Sequence, residues 1–250
     1  MLNRWNREGF PRPLGCPAVD AQPRIRWGLG EFLWIWFSML VFQVVLVAMV
    51  AAAHGVKGTF RADATDVAVI TVGSALFTLL LLQIGVANRG RGSLRDDLGL
   101  VVRISDWPWL AAGVLLQVVA TGAVWLLQRV SHHATKQAVA RALEHSALIP
   151  AILGTIAVVV FAPLAEELLF RGVLLRGLLR RVDAPLAVGI CGFVFALGHL
   201  VDPDAAQLLA PLAMVGVVSG VLAVRTGDLS RSVLLHAGFN LLTAILLFTG

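Results

Sequence analysis

The segment Ala147–Arg176, ALIPAILGTIAVVVFAPLAEELLFRGVLLR, joins a long apolar run to a small group of charged residues. Its first part, residues 147–165, is uncharged and long enough to cross most of the hydrocarbon core of a bilayer as a helix. Glu166, Glu167 and Arg171 follow without a break in the apolar pattern. Ionisable side chains inside a membrane cost about 2.5–3.5 kcal/mol each on insertion scales, and they are rare without a function. The segment therefore predicts a membrane helix that carries a functional polar site.

The composition is that of a membrane protein. Of 250 residues, 58% are hydrophobic and 14% are charged, and the mean hydropathy is +0.84. Soluble domains carry about 25% charged residues. Only helices and closed barrels satisfy the backbone in lipid, and the alternation typical of a barrel is absent. We predict an all-α polytopic membrane helix bundle with about seven transmembrane helices, or eight, the seven being Phe32–Ala53, Val67–Ala87, Trp107–Gln128, Ala147–Ala165, Ala184–Val201, Ala205–Val224 and Ser232–Phe248.

Basic residues are distributed unevenly between the segments that connect these helices. Fourteen arginines lie on one side of the membrane, in segments 1–31, 88–106, 176–183 and 225–231, against five Lys or Arg in the alternate segments. Basic residues favour the cytoplasmic side, so we predict a cytoplasmic amino terminus. Very few lysines beside many Arg, Ala, Val and Leu residues suggest a GC-rich bacterial source, so we expect the plasma (inner) membrane of a bacterium. The net charge of +5 thus has a membrane explanation and predicts no nucleic-acid partner.

We divide the chain into three parts. Residues 1–31, rich in Pro, Arg and Gly, form a predicted cytoplasmic arm. Residues 32–146 hold the three amino-terminal transmembrane helices with their loops, and residues 147–250 form the helical core that carries the polar groups. In the sixth predicted helix, Gly216-x-x-x-Gly220 predicts a close helix–helix contact, most simply inside the bundle.

Three pairs of polar or aromatic residues in the core have helical spacing. Glu167 and Arg171 are four residues apart, with the acid first, which is the favourable order for an ion pair. Glu166 is turned about 100° away from Glu167, so one carboxylate can be neutralised by arginine while the other stays available as a base. A bland explanation is an interfacial helix whose charges meet lipid headgroups, but acids are not favoured at an anionic membrane surface.

Phe195 and His199, and likewise His236 and Asn240, are also four residues apart. Taken alone, His199 could be a packed residue near a helix end, and Asn240 could simply form a bond between helices. Glu166 and His199 are nevertheless at nearly equal sequence distances from the turn at residue 183, so at about 1.5 Å per residue they lie at matching heights. We expect the two helices to converge with the last helix on one site that opens towards the cytoplasm.

The motifs Glu166-Glu167-x-x-x-Arg171, Phe195-x-x-x-His199 and His236-x-x-x-Asn240 together resemble the three signature motifs of the CPBP family. This family comprises CAAX proteases and bacteriocin-processing membrane endopeptidases, related to the Rce1-like prenyl-protein proteases. The resemblance covers residues from about 147 to 245, which would make residues 147–250 a catalytic core of CPBP type. It implies hydrolysis of peptide bonds in membrane-associated, in some relatives lipidated, peptides or proteins inside the lipid bilayer.

The resemblance also implies roles for the individual residues. Glu166 would be the general base that activates water, and His199 would help to hold that water. His236 and Asn240 would stabilise the oxyanion that forms on the attacked carbonyl. Glu167 and Arg171 would be a supporting pair, and Phe195 would pack the site.

Metal dependence is left open by the spacing of these residues. Glu166, His199 and His236 match the His₂Glu ligand set of catalytic zinc sites, but the usual His-Glu-x-x-His pairing is absent. We favour chemistry without a metal and keep a Zn²⁺ metalloendopeptidase as the second option.

Two further functions compete with that of an enzyme. The main alternative is a non-catalytic membrane regulator or immunity-type protein that binds a partner peptide in the same cavity. Complete motifs speak against it, because a protein that only binds has no need of Glu166. A small proton-linked transporter ranks last, because the paired repeats of such carriers are absent from the sequence.

Overall fold

The protein is a bundle of α-helices in the computed structural model, which describes residues 28–55, 60–101, 103–131, 141–142, 146–201 and 208–249. No β-strand occurs within these ranges. The predicted cytoplasmic arm lies outside the described residues except for 28–31. The helices are α1 (Leu29–Ala53), α2 (Ala64–Arg89), α3 (Leu94–Leu98), α4 (Pro108–Ser131), α5 (Leu148–Leu179), α6 (Ala184–Gly198), α7 (Leu209–Thr226) and α8 (Ser230–Thr249). The predicted all-α fold is confirmed.

Each of the seven predicted crossings overlaps one helix of 15 residues or more in the described ranges, and residues 205–207 of the sixth crossing lie outside those ranges. Within the described residues, five helical segments are long and apolar enough to span a membrane: Leu29–Ala53, Ala64–Arg89, Ile104–Leu126, Leu148–Leu179 and Leu209–Thr226. The fifth predicted crossing is shorter than expected, because α6 has 15 residues and ends in a 3₁₀ turn at His199–Val201. The Asp183 side chain accepts a hydrogen bond from the Leu186 amide and sets the start of α6.

Helix α5 is not regular along its length. Two π-helical stretches, Ala157–Phe161 and Leu168–Leu175, flank the α-helical turn Ala162–Glu167. Pro163 has no amide hydrogen to donate to the preceding turn, which accounts for a widened turn at the first stretch. Isolated π turns of this kind are frequent at functional sites. The α-helical turn that carries Glu166 and Glu167 therefore lies between two wider π-helical stretches of the same helix.

Helix α5 is also the central element of the bundle. Its second half is almost completely buried, from Leu168 to Leu175, and it packs against α1, α3, α6 and α7. Large apolar side chains on the outer helices are exposed instead, as at Phe37, Leu115 and Val119. Apolar residues on both the inside and the outside are expected of a bundle surrounded by lipid tails.

Glycines bring two pairs of helices into backbone contact. In α4 and α8, a methyl group on Gly113 would overlap the carbonyl oxygen of Leu235, and one on Gly238 would overlap that of Leu110. In α6 and α7, a Cβ on Gly216 would lie 2.9 Å from the Cα of Gly192. The close contact predicted for Gly216-x-x-x-Gly220 is therefore present, and it lies inside the bundle.

A polar network joins the segment before α4 to the turn between α7 and α8. Arg103 Nη1 lies 2.7 Å from Asp228 Oδ2, and the Arg103 amide donates to the Ser230 hydroxyl at 2.9 Å. Arg231 Nε donates to Asp106 Oδ1 at 3.2 Å. These bonds hold the starts of α4 and α8 together, so the last helix enters the bundle at a defined position.

We expect Gly238→Ala to destabilise the protein by about 1–3 kcal/mol, the usual cost of overpacking a core. The added methyl group meets a backbone carbonyl of α4, which no rotamer change can move. The measurement is the thermal unfolding midpoint of the purified protein in nanodiscs. Gly122→Ala is the control, because a Cβ at Gly122 in α4 has no atom within 4 Å. Equal midpoints for the two variants would contradict the close α4–α8 contact.

Candidate active site

The three sequence motifs lie on three neighbouring helices. Helix α5 contributes Glu166, Glu167 and Arg171, α6 contributes Phe195 with His199 directly after its end, and α8 contributes His236 and Asn240. All seven residues are described by the structure.

His236 connects the two adjacent carboxylates. Its Nδ1 lies 2.9 Å from Glu167 Oε1 and forms a hydrogen bond with it, while its Nε2 lies 3.7 Å from Glu166 Oε2. The ring is buried, and the Glu167 side chain is completely buried, whereas 31% of the Glu166 side chain is exposed. The two neighbouring acids thus have different surroundings: Glu167 is buried in the core, and Glu166 is partly exposed.

The sealed carboxylate is neutralised by an arginine. Arg171 Nη1 lies 2.9 Å from Glu167 Oε1, the same oxygen that contacts His236, and the arginine is also completely buried. Arg171 Nη2 donates a hydrogen bond of 2.8 Å to the carbonyl oxygen of Gly216 in α7. The predicted Glu167–Arg171 pair is therefore present. The negative charge of Glu167 and the positive charge of Arg171 compensate each other in the core.

Phe195 lies at the centre of the aromatic contacts. The guanidinium of Arg171 is 4.7 Å from the centre of its ring, which is a cation–π contact. The rings of His199 and His236 meet it edge to face, with ring centroids 4.9 and 5.4 Å from its own. One buried phenyl ring therefore fixes the relative positions of both imidazoles.

His199 and Glu166 do not touch directly. Across the antiparallel helices α5 and α6, the rings of Phe170 and Phe195 are 5.2 Å apart. Glu166 and His199 are each four residues farther from the α5–α6 turn than these two rings, and their matching levels stay a prediction. In the described part of the chain, however, Glu166 pairs with His236 rather than with His199. His199 Nδ1 instead lies 3.0 Å from the carbonyl oxygen of Phe195.

Asn240 contacts the π-helical part of α5. Its Nδ2 donates a hydrogen bond of 2.9 Å to the carbonyl oxygen of Val158. The second hydrogen on that nitrogen remains available for another acceptor. Asn240 is one turn beyond His236 on α8, so both side chains face α5 from the same stripe of the helix.

Two partners in this site were not identifiable from side-chain motifs. They are the backbone carbonyls of Val158 and Gly216. A carbonyl oxygen has no signature in a sequence, although Gly216 was already marked as a point of close helix contact. The assignment of His236 as a residue of the oxyanion site alone was incomplete, because the ring also binds the Glu167 carboxylate.

The arrangement does not fit a bound zinc ion. Among the described residues, no group of three His, Cys, Asp or Glu side chains is spaced to hold a metal. His236 directs Nδ1 to Glu167 and Nε2 to Glu166, and His199 lies outside direct contact with Glu166. The predicted zinc ligands Glu166, His199 and His236 are therefore not a preformed ligand set.

The fold and this centre define a polytopic helical membrane protein with a carboxylate–imidazole site between its helices. Residues 148–242 match the family model described as Rce1-like, Type II CAAX prenyl endopeptidase. The predicted resemblance is confirmed over these residues, which are fewer than half of the chain. The match supports an intramembrane protease function of the CAAX type. No curated protein and no solved structure matches the chain.

Proposed function

We propose that the protein is an intramembrane endopeptidase that uses a water molecule activated by Glu166. The observation that carries this proposal is the contrast between the two adjacent acids. Glu167 is sealed and paired with Arg171, whereas Glu166 is partly exposed and has only the imidazole of His236 within ion-pair distance in the described residues. A carboxylate with access to water and no arginine partner is suited to accept a proton.

In the proposed reaction, Glu166 takes a proton from water and the oxygen attacks the peptide carbonyl carbon. The carbonyl oxygen becomes an oxyanion that accepts hydrogen bonds from His236 Nε2 and Asn240 Nδ2. Such donors are worth about 3–4 kcal/mol each in the transition state. Glu166 then transfers the proton to the leaving amine as the C–N bond breaks. His199, at the level of Glu166, holds the attacking water.

The position of Glu167 supports the part assigned to His236. Its carboxylate accepts a hydrogen bond from Nδ1–H and holds the ring with Nε2 towards Glu166, and Nε2 donates to the oxyanion when it also carries a hydrogen.

The substrates that suit this site are peptides held at a membrane, including lipidated ones. The site lies between helices that are apolar over their outer surfaces, so a substrate reaches it from the bilayer or from its edge. The charge distribution supports a plasma-membrane location with a cytoplasmic amino terminus.

The proposal is tested by comparing membrane proteomes of cells that contain the wild-type chain or lack it. We expect new peptide termini in membrane-associated proteins only when the wild-type chain is present. Immunoprecipitated Glu166→Gln should retain uncut substrates, since binding remains and the base is lost. A regulator or immunity-type protein would instead hold the same partners in uncut form in the wild type and in Glu166→Gln. That result would refute the proposed hydrolysis.

A further inference from the structure

Helix α7 contributes no side chain to the three motifs, yet its backbone is bonded to the acid network. The carbonyl oxygen of Gly216 accepts the hydrogen bond from Arg171 Nη2, and this contact is fully buried. The planar guanidinium therefore spans two partners, with Nη1 on Glu167 and Nη2 on α7. Because the fork of an arginine is rigid, the position of one partner constrains the other.

The position of α7 is in turn set by two glycines. A Cβ on Gly216 would lie 2.9 Å from the Cα and 3.0 Å from the carbonyl oxygen of Gly192 in α6. A Cβ on Gly192 would lie 2.9 Å from the backbone amide nitrogen of Val217. The same Cβ atoms would also meet side chains, Val217 Cγ2 at 2.7 Å from Gly192 and Phe195 Cδ1 at 3.3 Å from Gly216. A side chain can turn away but a main-chain atom cannot, so a methyl group on either glycine requires the two backbones to separate.

These contacts form one continuous series. The Gly216 carbonyl holds Arg171, Arg171 holds Glu167, and Glu167 Oε1 accepts the bond from His236 Nδ1. Arg171, Glu167 and His236 are all buried, and closely packed interiors transmit displacements instead of absorbing them. A shift of α7 away from α6 therefore reaches the imidazole on α8.

We propose that Gly192 and Gly216 are positioning residues for the active site, because their backbone contact sets the place of the Gly216 carbonyl and thereby the orientation of His236. The inference rests on the proposed endopeptidase function. It adds α7 to the elements that determine the geometry of the site.

The first test is a double-mutant cycle on the full chain in nanodiscs, with an internally quenched, farnesylated CAAX peptide as the probe. We expect Gly216→Ala and Gly192→Ala each to lower kcat by about 10–100-fold with little change in KM, since misplacement by about 1 Å can cost about 100-fold. Gly220→Ala and Gly189→Ala are matched controls. The three atoms nearest to a Cβ at Gly220 all belong to the Val188 side chain, the first at 3.2 Å, and a Cβ at Gly189 meets nothing within 4 Å.

The cycle pairs Gly216→Ala with Arg171→Lys. A lysine ammonium cannot span Glu167 and the Gly216 carbonyl together. If the contacts act in series, the double variant is hardly slower than Arg171→Lys alone, because the link is already broken. If instead the fold-losses in kcat of the two single variants multiply in the double variant, the two contacts act independently and the proposal fails.

A second measurement does not depend on cleavage of the probe. In protein labelled with ¹⁵N-histidine, the His236 signals are assigned by their loss in His236→Asn. Gly216→Ala should shift both ring nitrogens of His236, whereas Gly220→Ala should not. Unchanged His236 signals in Gly216→Ala overturn the inference. Shifted signals in a protein that cleaves nothing would count against the proposed enzyme and leave the positioning series intact.

Discussion

Glu166→Ala is expected to lower the rate of peptide cleavage by about 10²–10⁴-fold, the usual contribution of a positioned general base. The thermal unfolding midpoint should stay near that of the wild type, because the side chain is partly exposed and its nearest charged partner, His236, is 3.7 Å away. Turnover is measured on the substrates found by proteome comparison, with unfolding followed in the same preparation.

Glu31→Gln provides a control for the loss of a membrane-edge acid. Glu31 is paired with Arg89 at the ends of α1 and α2, away from the site. We expect this variant to keep wild-type turnover. Cleavage by Glu166→Ala at the wild-type rate would remove Glu166 as the base, and with it the proposed mechanism.

Glu167→Ala is expected to act mainly on stability, whereas Glu166→Ala acts mainly on the rate of cleavage. We expect Glu167→Ala to lower the free energy of unfolding by about 3–5 kcal/mol. That is the typical effect of removing one partner from a buried ion pair, because Arg171 is left as an uncompensated charge in the core. The measurement is the unfolding midpoint and the yield of folded protein from the membrane.

The double replacement Glu167→Leu with Arg171→Met is the matched control. Removing both charges avoids the uncompensated arginine, so this variant should be more stable than Glu167→Ala although it lacks the same carboxylate. Hydrolysis should still be impaired, because His236 has lost its partner at Nδ1. Equal stability of wild type and Glu167→Ala would mean that Arg171 does not depend on Glu167.

The two neighbouring glutamates therefore have different surroundings, and we propose different roles for them. The 3.6-residue period of a helix already places them on different faces. The structure shows the surroundings of each side chain. Glu167 contacts Arg171 and His236, whereas Glu166 is partly exposed and lies beside His236.

Features that depend on local sequence were predictable. The helices follow from uncharged apolar runs, and the Glu167–Arg171 pair follows from i, i+4 spacing within one helix. The matching levels of Glu166 and His199 come from counting residues from a shared turn and stay a prediction. Each of these requires knowledge of only one helix or one hairpin of helices.

Contacts between residues on different helices could not be predicted, because the sequence does not show which helices are neighbours. The bonds from His236 to Glu167 and from Asn240 to Val158 join residues 69 and 82 positions apart. The backbone contact of α4 with α8 gave no signal beyond ordinary glycines at 113 and 238. The π-helical stretches of α5 were also missed, because apolar periodicity does not distinguish a π turn from an α turn.

The shortness of α6 affects the bilayer around the protein. At about 1.5 Å per residue, its 15 residues extend for about 22 Å, some 8 Å less than a typical hydrocarbon layer. One way to relieve such hydrophobic mismatch is local thinning of the membrane. His199 follows directly after this helix, so thinning beside α6 would bring water closer to His199. Hydrolysis consumes water as a second reactant, and a locally thin membrane shortens the distance that this water has to travel.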